Sequence, residues 1–165
     1  MVEFHYKLLF SSGVIGIISI FTPVLFHIAP HSVYQFWVWG FIINFGINSS
    51  EIGFTYNSEA EFLIPGLLFL IPVVLSSLLF LNTSLLKAKR TLEKFIKLYI
   101  IGGILMLISP LLLMITWQIL YLLAMDFPTF WGEDYYWPSI AIFLQLIAGI
   151  IATLASIIIR IKING

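Results

Sequence analysis

Four apolar stretches, separated by aromatic and polar segments, dominate the pattern of this chain. Residues 8–28, 62–81, 98–120 and 139–159 contain no Asp, Glu, Lys or Arg. Each runs for about 20 residues, which at about 1.5 Å per residue crosses the roughly 30 Å hydrocarbon layer of a bilayer. The pattern therefore predicts four membrane-spanning helices. In the third, each Leu and Ile contributes about −0.3 to −0.6 kcal/mol to insertion, and together they outweigh Gln118 and two glycines. Pro23, Pro65, Pro72 and Pro110 read as kinks, because neighbouring helices satisfy the carbonyls that a proline frees. The first stretch exceeds the apolar core of about 7–15 residues in a signal peptide, and no A-x-A site follows Ile28, so it reads as a retained helix.

Between the first two stretches, residues 33–45 are rich in aromatic and β-branched side chains. A turn cluster, Gly-Ile-Asn-Ser-Ser at 46–50, follows, and then Ile-Gly-Phe-Thr-Tyr at 52–56 with alternating apolar positions. This predicts a β-hairpin in preference to an interfacial helix. As a fifth span, 33–45 is too short and interrupted by Gly40 and Asn44. The expected fold is an all-α transmembrane four-helix bundle, one domain over 1–165, with a small extracellular β-hairpin or sheet between the first and second helices. Its outer loops are 29–61 and 121–138, and its inner loop is 82–97.

Composition agrees with lipid as the solvent. Of 165 residues, 61% are hydrophobic and 10% charged, with a mean hydropathy of +1.06, against about 25% charged in a soluble domain. The eight cations are Lys7, Lys87, Lys89, Arg90, Lys94, Lys97, Arg160 and Lys162, so all precede the first stretch, lie between the second and third, or follow the fourth. Basic residues are retained on the cytoplasmic side during insertion. The expectation is a multi-pass protein of the plasma membrane with both termini and the basic loop in the cytoplasm. Six of the eight acids, Glu51, Glu59, Glu61, Asp126, Glu133 and Asp134, then lie outside. So do Trp37, Trp39, Trp117, Trp131 and Trp137, in or beside the outer loops, where amphipathic rings favour the headgroup level. The absence of cysteine excludes disulfides, thiolate nucleophiles and Cys-ligated metals.

Four spans, a longer first outer loop carrying Trp37-Val-Trp39-Gly40-Phe41, a short basic inner loop and a shorter second outer loop together resemble the claudin and peripheral-myelin-protein family of four-span proteins. The likeness covers the whole chain in topology and a few residues in motif. In that family the first loop carries W…G-L-W…C…C; here Phe41 follows the glycine and the cysteines are absent. The resemblance implies a left-handed four-helix bundle supporting a small extracellular sheet, with lateral or head-to-head association and no catalysis.

The expected function is a non-enzymatic tetraspan scaffold or adhesion protein that contacts membrane lipids, copies of itself in a homo-oligomer, or other membrane proteins, and no nucleic acid. The residues expected to carry these contacts are Trp37, Trp39, Gly40, Phe41, Phe54, Tyr56, Trp131 and Trp137. One alternative is an accessory subunit of a larger membrane enzyme complex. Another is a small metal-binding membrane enzyme, for which His27 and His31 would share a helix face; Pro30 spoils that spacing, and no catalytic, cofactor or metal site is expected. The spans lack the Asp, Glu, Lys or Arg that a coupled transporter needs. Gln118 and Gln145 read as interhelical hydrogen-bond partners. Ser12 and Gly16 in the first helix, and Ala148, Ala152 and Ser156 in the fourth, form stripes of small residues that permit close packing. Asn48-Ser49-Ser50 is an N-glycosylation acceptor pattern on the outer side.

Overall fold

Most of each long apolar run folds here as a helix, and the strands come from the end of the first run and from parts of the aromatic segments between runs. The structure, a computed structural model, describes residues 2–29, 32–46, 52–56, 60–82, 92–124 and 136–164. In chain order they form α1 (Val2–Ile20), β1 (Leu25–Ala29), β2 (Ser32–Phe36), β3 (Phe41–Gly46), β4 (Ile52–Tyr56), α2 (Ala60–Leu81), α3 (Leu92–Ala124), β5 (Tyr136–Pro138) and α4 (Ile140–Asn164). Three helices are long and apolar enough to cross a membrane, over Ile64–Leu81, Phe95–Ile119 and Ile140–Lys162, and α1 has a shorter apolar stretch, Phe4–Ile20. Pro65, Pro72 and Pro110 lie inside α2 and α3. α3 begins at Leu92, so the last part of the expected inner loop is helical.

The first apolar stretch departs from expectation. α1 starts at Val2 and stops at Ile20, and 25–29 form β1. Pro23 ends the helix instead of kinking it: it has no N–H to donate and pushes Thr22 out of the helical region. The strand that follows finds partners on both sides for its backbone, β2 and β5.

The five strands form one antiparallel sheet in the order β4-β3-β2-β1-β5, so it draws on both segments expected to be outer loops. The expected hairpin is also divided differently. Residues 33–45 are not one strand but β2 and β3, joined by a turn at 37–40 in which Gly40 adopts φ 84°. Trp37 pairs through its N–H with Phe41 O (2.9 Å), and Gly40 N–H donates to Trp37 O (3.0 Å). A three-residue loop of this type needs a left-handed third residue, which glycine supplies without a Cβ penalty.

Two apolar clusters hold the helices together. One, at the sheet end, joins Ile20, Leu25, Phe36 and Val38 to Phe69, Leu113, Trp117 and Ala141. The other, at the opposite end, gathers Leu9, Phe80, Ile96, Tyr99, Ala152 and Ile159. The bundle has polar groups inside and apolar groups outside: Ser12, Ser19, Ser76, Ser77, Ser109, Gln145 and Ser156 are buried, while Phe10, Ile71, Leu75, Ile115, Phe143 and Ile150 are exposed. Exposed apolar surface continuous over several helices is costly in water and compatible with hydrocarbon.

Candidate interaction surface

The surface is built outward from the end of α1. A helix leaves its last carbonyls without partners in the helix. Here Thr22 Oγ1 donates to Ser19 O (3.0 Å), Trp39 Nε1 to Ile20 O (3.0 Å) and Trp37 Nε1 to Phe21 O (3.2 Å). Both tryptophans of the turn therefore cap α1. Between them, buried Val38 points into the bundle, and its carbonyl sits where a side chain on Gly66 of α2 would begin. A crevice of about 10 Å³ beneath the turn, lined by Phe36, Val38, Gly66, Leu113 and Trp117, has room for no more than about one water-sized molecule. On the other side, Ser139 N–H donates to Val24 O (2.9 Å) and Ala141 N–H to Pro23 O (3.2 Å), which fastens the start of α4 to the chain entering β1.

Register then sorts the strand residues between two faces, because antiparallel partners share a face and neighbours along a strand alternate. Leu25 pairs with Phe36, Phe36 with Ile42 and Ile42 with Thr55; with Leu25 and Phe36 buried against the helices, this is the bundle-side face. His27, Tyr34 and Asn44 lie on it too, with the His27 and Tyr34 rings 6.0 Å apart. The far face carries a row Trp137, Phe26, Gln35, Ile43, Phe54 and a second row Ile28, Val33, Phe45, Ile52, with Phe41 beside them. Phe54 is 74% exposed and Trp137 53%. At one edge, β4 exposes Ile52, Gly53, Phe54 and Thr55, and among the described residues no strand pairs with its outer side.

The expected contact residues thus separate into distinct roles. Trp37, Trp39 and Gly40 build the turn and cap α1. Phe41, Phe54 and Trp137 stand exposed on the far face, and Tyr56 pairs with Phe41 in the ladder. Trp131 and Asn48 lie outside the described residues. So does His31, and His27 is in a strand, so the helical spacing considered for a metal pair does not exist. Among the described residues no group of three His, Asp or Glu gathers.

In the bundle, Ser12 Oγ donates to Ala148 O (2.5 Å), joining α1 to α4, and Ala148, Ala152 and Ser156 are buried. Gly16 instead admits Ser77 and Met106 from α2 and α3. A four-residue step turns about 40° around a helix of 3.6 residues per turn, so the stripe drifts from α4 toward the bundle centre. Ser19 Oγ lies 2.7 Å from Gly16 O and 2.9 Å from Gln145 Oε1. A hydroxyl has one proton, so both contacts are satisfied only when the Gln145 amide nitrogen faces Ser19 and donates to it.

The sequence reading misses Phe26, Ile28, Phe45 and Ile52 on the far face and the close approaches at Gly66, Gly103 and Gly149. The signal available for Phe26 and Ile28 was Thr22-Pro23, for Phe45 and Ile52 the alternation along their strands, and for the close approaches the glycines within apolar helices, Gly66, Gly149 and the pair Gly102-Gly103. Gly103 admits Thr153, and a Cβ on Gly149 would lie 3.0 Å from Leu107 N, so α3 and α4 approach backbone to backbone. No protein-family model matches the chain, and a search of the curated proteins found no match.

Proposed function

We propose that the chain is a non-enzymatic, claudin-like four-helix membrane scaffold that associates laterally, with copies of itself or with other membrane proteins, through the β4 edge of its sheet. The observation that carries this reading is β4 itself: five residues, uncharged, without proline, at the end of the strand order. An open strand edge of that kind presents N–H and C=O groups to a further strand, and soluble proteins usually blunt it with charge, proline or a bulge. The bundle with a small sheet at one end supports the claudin-like architecture, and its apolar exterior supports residence in the plasma membrane. Orientation follows from charge. Lys7, Lys97, Arg160 and Lys162 sit on the ends of α1, α3 and α4 away from the sheet, which favours cytoplasmic termini and an external sheet.

Removing 33–56 would strip Phe36 and Val38 from the core, so a point change on the edge is the cleaner test. Thr55→Lys places a charge on the exposed strand without touching the core. Crosslinking of the purified protein in bilayer discs should give oligomers for the parent chain and monomers for Thr55→Lys. Equal crosslinking of the two would remove the edge as the contact.

A further inference from the structure

The far face of the sheet takes no part in the association proposed above, which uses only the β4 edge. Two of its rows hold Trp137, Phe26, Ile43 and Phe54, then Ile28, Val33, Phe45 and Ile52, with Gln35 the one polar side chain in these two rows; Phe41 pairs with Tyr56 in a third. Not one of the residues in the five strands or the turn at 37–40 is Asp, Glu, Lys or Arg. Such a face is not built to meet water.

We infer that this face lies on the bilayer that surrounds the protein's own helices, with its side chains reaching the boundary between lipid headgroups and acyl chains. Continuity is the first reason. Exposed Phe21 (71%) at the end of α1 lies beside Trp39, ring centroids 6.4 Å apart and tilted by 36°; Trp39 and Phe41 flank Gly40 in the turn; and Trp137 leads through Pro138 and buried Ser139 to exposed Ile140 at the start of α4. The apolar exterior of the helices therefore runs into the sheet without a polar break among these residues. Area is the second. Five strands about 4.8 Å apart and about five residues long at 3.3 Å each give a face of roughly 400 Å², half the roughly 800 Å² that one partner contributes to a stable protein interface. A second copy facing this sheet would have too little to hold, whereas a lipid surface needs no matching partner. Composition is the third, since Trp and Phe beside aliphatic side chains are what the membrane interface favours. The backbone is paired within the sheet, so the face offers lipid only side chains, while the β4 edge stays at headgroup level where open backbone groups are tolerated.

The inference rests on the membrane reading above, and one labelling series separates the two. The chain has no cysteine, so single-cysteine variants take a nitroxide at one site. Phe54→Cys and Ile28→Cys report the far face, Thr55→Cys the bundle-side face, and Ile150→Cys the exterior of α4. All four sites are exposed, so each substitution leaves the core alone. In nanodiscs carrying one copy each, which excludes both an opposing membrane and a partner, collision with oxygen is compared with collision with a water-soluble nickel chelate. Labels at Phe54 and Ile28 should favour oxygen as the label at Ile150 does, and the label at Thr55 should favour nickel. Nickel preference at Phe54 and Ile28 with oxygen preference at Ile150 would overturn this inference alone. Nickel preference at Ile150 would overturn the membrane reading with it. Burial from both reagents that appears only in discs with two copies would assign the face to a second chain, and also overturn it.

Discussion

Gly66 shows how a single hydrogen atom in place of a side chain fixes the relation between sheet and bundle. A Cβ there would fall on the Val38 carbonyl, which is backbone and cannot swing aside as a side chain could. The turn at 37–40 would have to lift, and with it the indoles of Trp37 and Trp39 that cap α1. Alanine's advantage over glycine in a helix, about 1 kcal/mol, opposes an overpacking cost of about 1–3 kcal/mol plus whatever capping is lost. Gly66→Ala is therefore expected to lower the unfolding midpoint in mild detergent. Gly53→Ala is its control: the nearest atom to a Cβ at Gly53 is Asn44 Cβ at 3.7 Å, an ordinary contact, so its midpoint should stay near the parent value. Equal midpoints for the two variants would mean that the turn does not seat on α2 as described.

At the scale of elements, the end of α1 decides where the sheet begins, and the two tryptophans are what hold that end. Trp39→Phe and Trp37→Phe each keep an aromatic ring and delete one donor, so their effect reads the cap more than the packing. Trp39 makes the shorter bond, 3.0 Å against 3.2 Å, in the less exposed setting. Its loss should cost about 1 kcal/mol, the net worth of one such bond, and that of Trp37 less; denaturant titration of both variants checks the order. This cap was hidden in the sequence. Trp37 and Trp39 read there as a recognition strand, because aromatic residues at alternate positions look the same whether they face a partner or reach back to a carbonyl. β1 is hidden for a related reason: Leu25, Phe26 and Ile28 are as apolar as the helix before them, and hydropathy cannot tell a strand in a sheet from the last turn of a span. β5 has three residues and no pattern of its own, only a ladder with β1. By contrast the apolar cores of α2, α3 and α4 are legible, since an uncharged apolar run of such length has few ways to satisfy its backbone except as a helix; the start of α3 at Leu92 and the end of α4 at Asn164 are not, because there the helix continues through charged residues that hydropathy reads as loop.

Taken whole, the molecule is polarised along the bundle axis. His5 of α1 and Lys162 of α4 meet at 3.1 Å, and Tyr99 Oη of α3 donates to Asn82 O (2.6 Å) just after α2, so the start of α1, the end of α2, the start of α3 and the end of α4 share the end opposite the sheet. An ammonium group only donates, so His5 accepts through Nε2 and the contact adds no opposing charge to that end. The sheet end, as far as it is described, has no cation, and the other end collects them. Translocating that end would carry Lys7, Lys97, Arg160 and Lys162 across hydrocarbon, at about 2.5–3.5 kcal/mol for each cation held at mid-span, whereas the segments at the sheet end, 29–61 and 121–138, carry six acids and no Lys or Arg, and acidic residues do little to hold a segment in the cytoplasm. Alkaline phosphatase, active only outside the cytoplasm, should therefore be inactive when joined after Gly165 and active when inserted at position 48. The reverse result would place the sheet in the cytoplasm, and it would take the Asn48 acceptor pattern out of reach of glycosylation as well. Activity at both positions would break the even number of crossings on which the bundle's orientation depends, because the ends of α1 and α4 could not then lie together while only one of them faced inward.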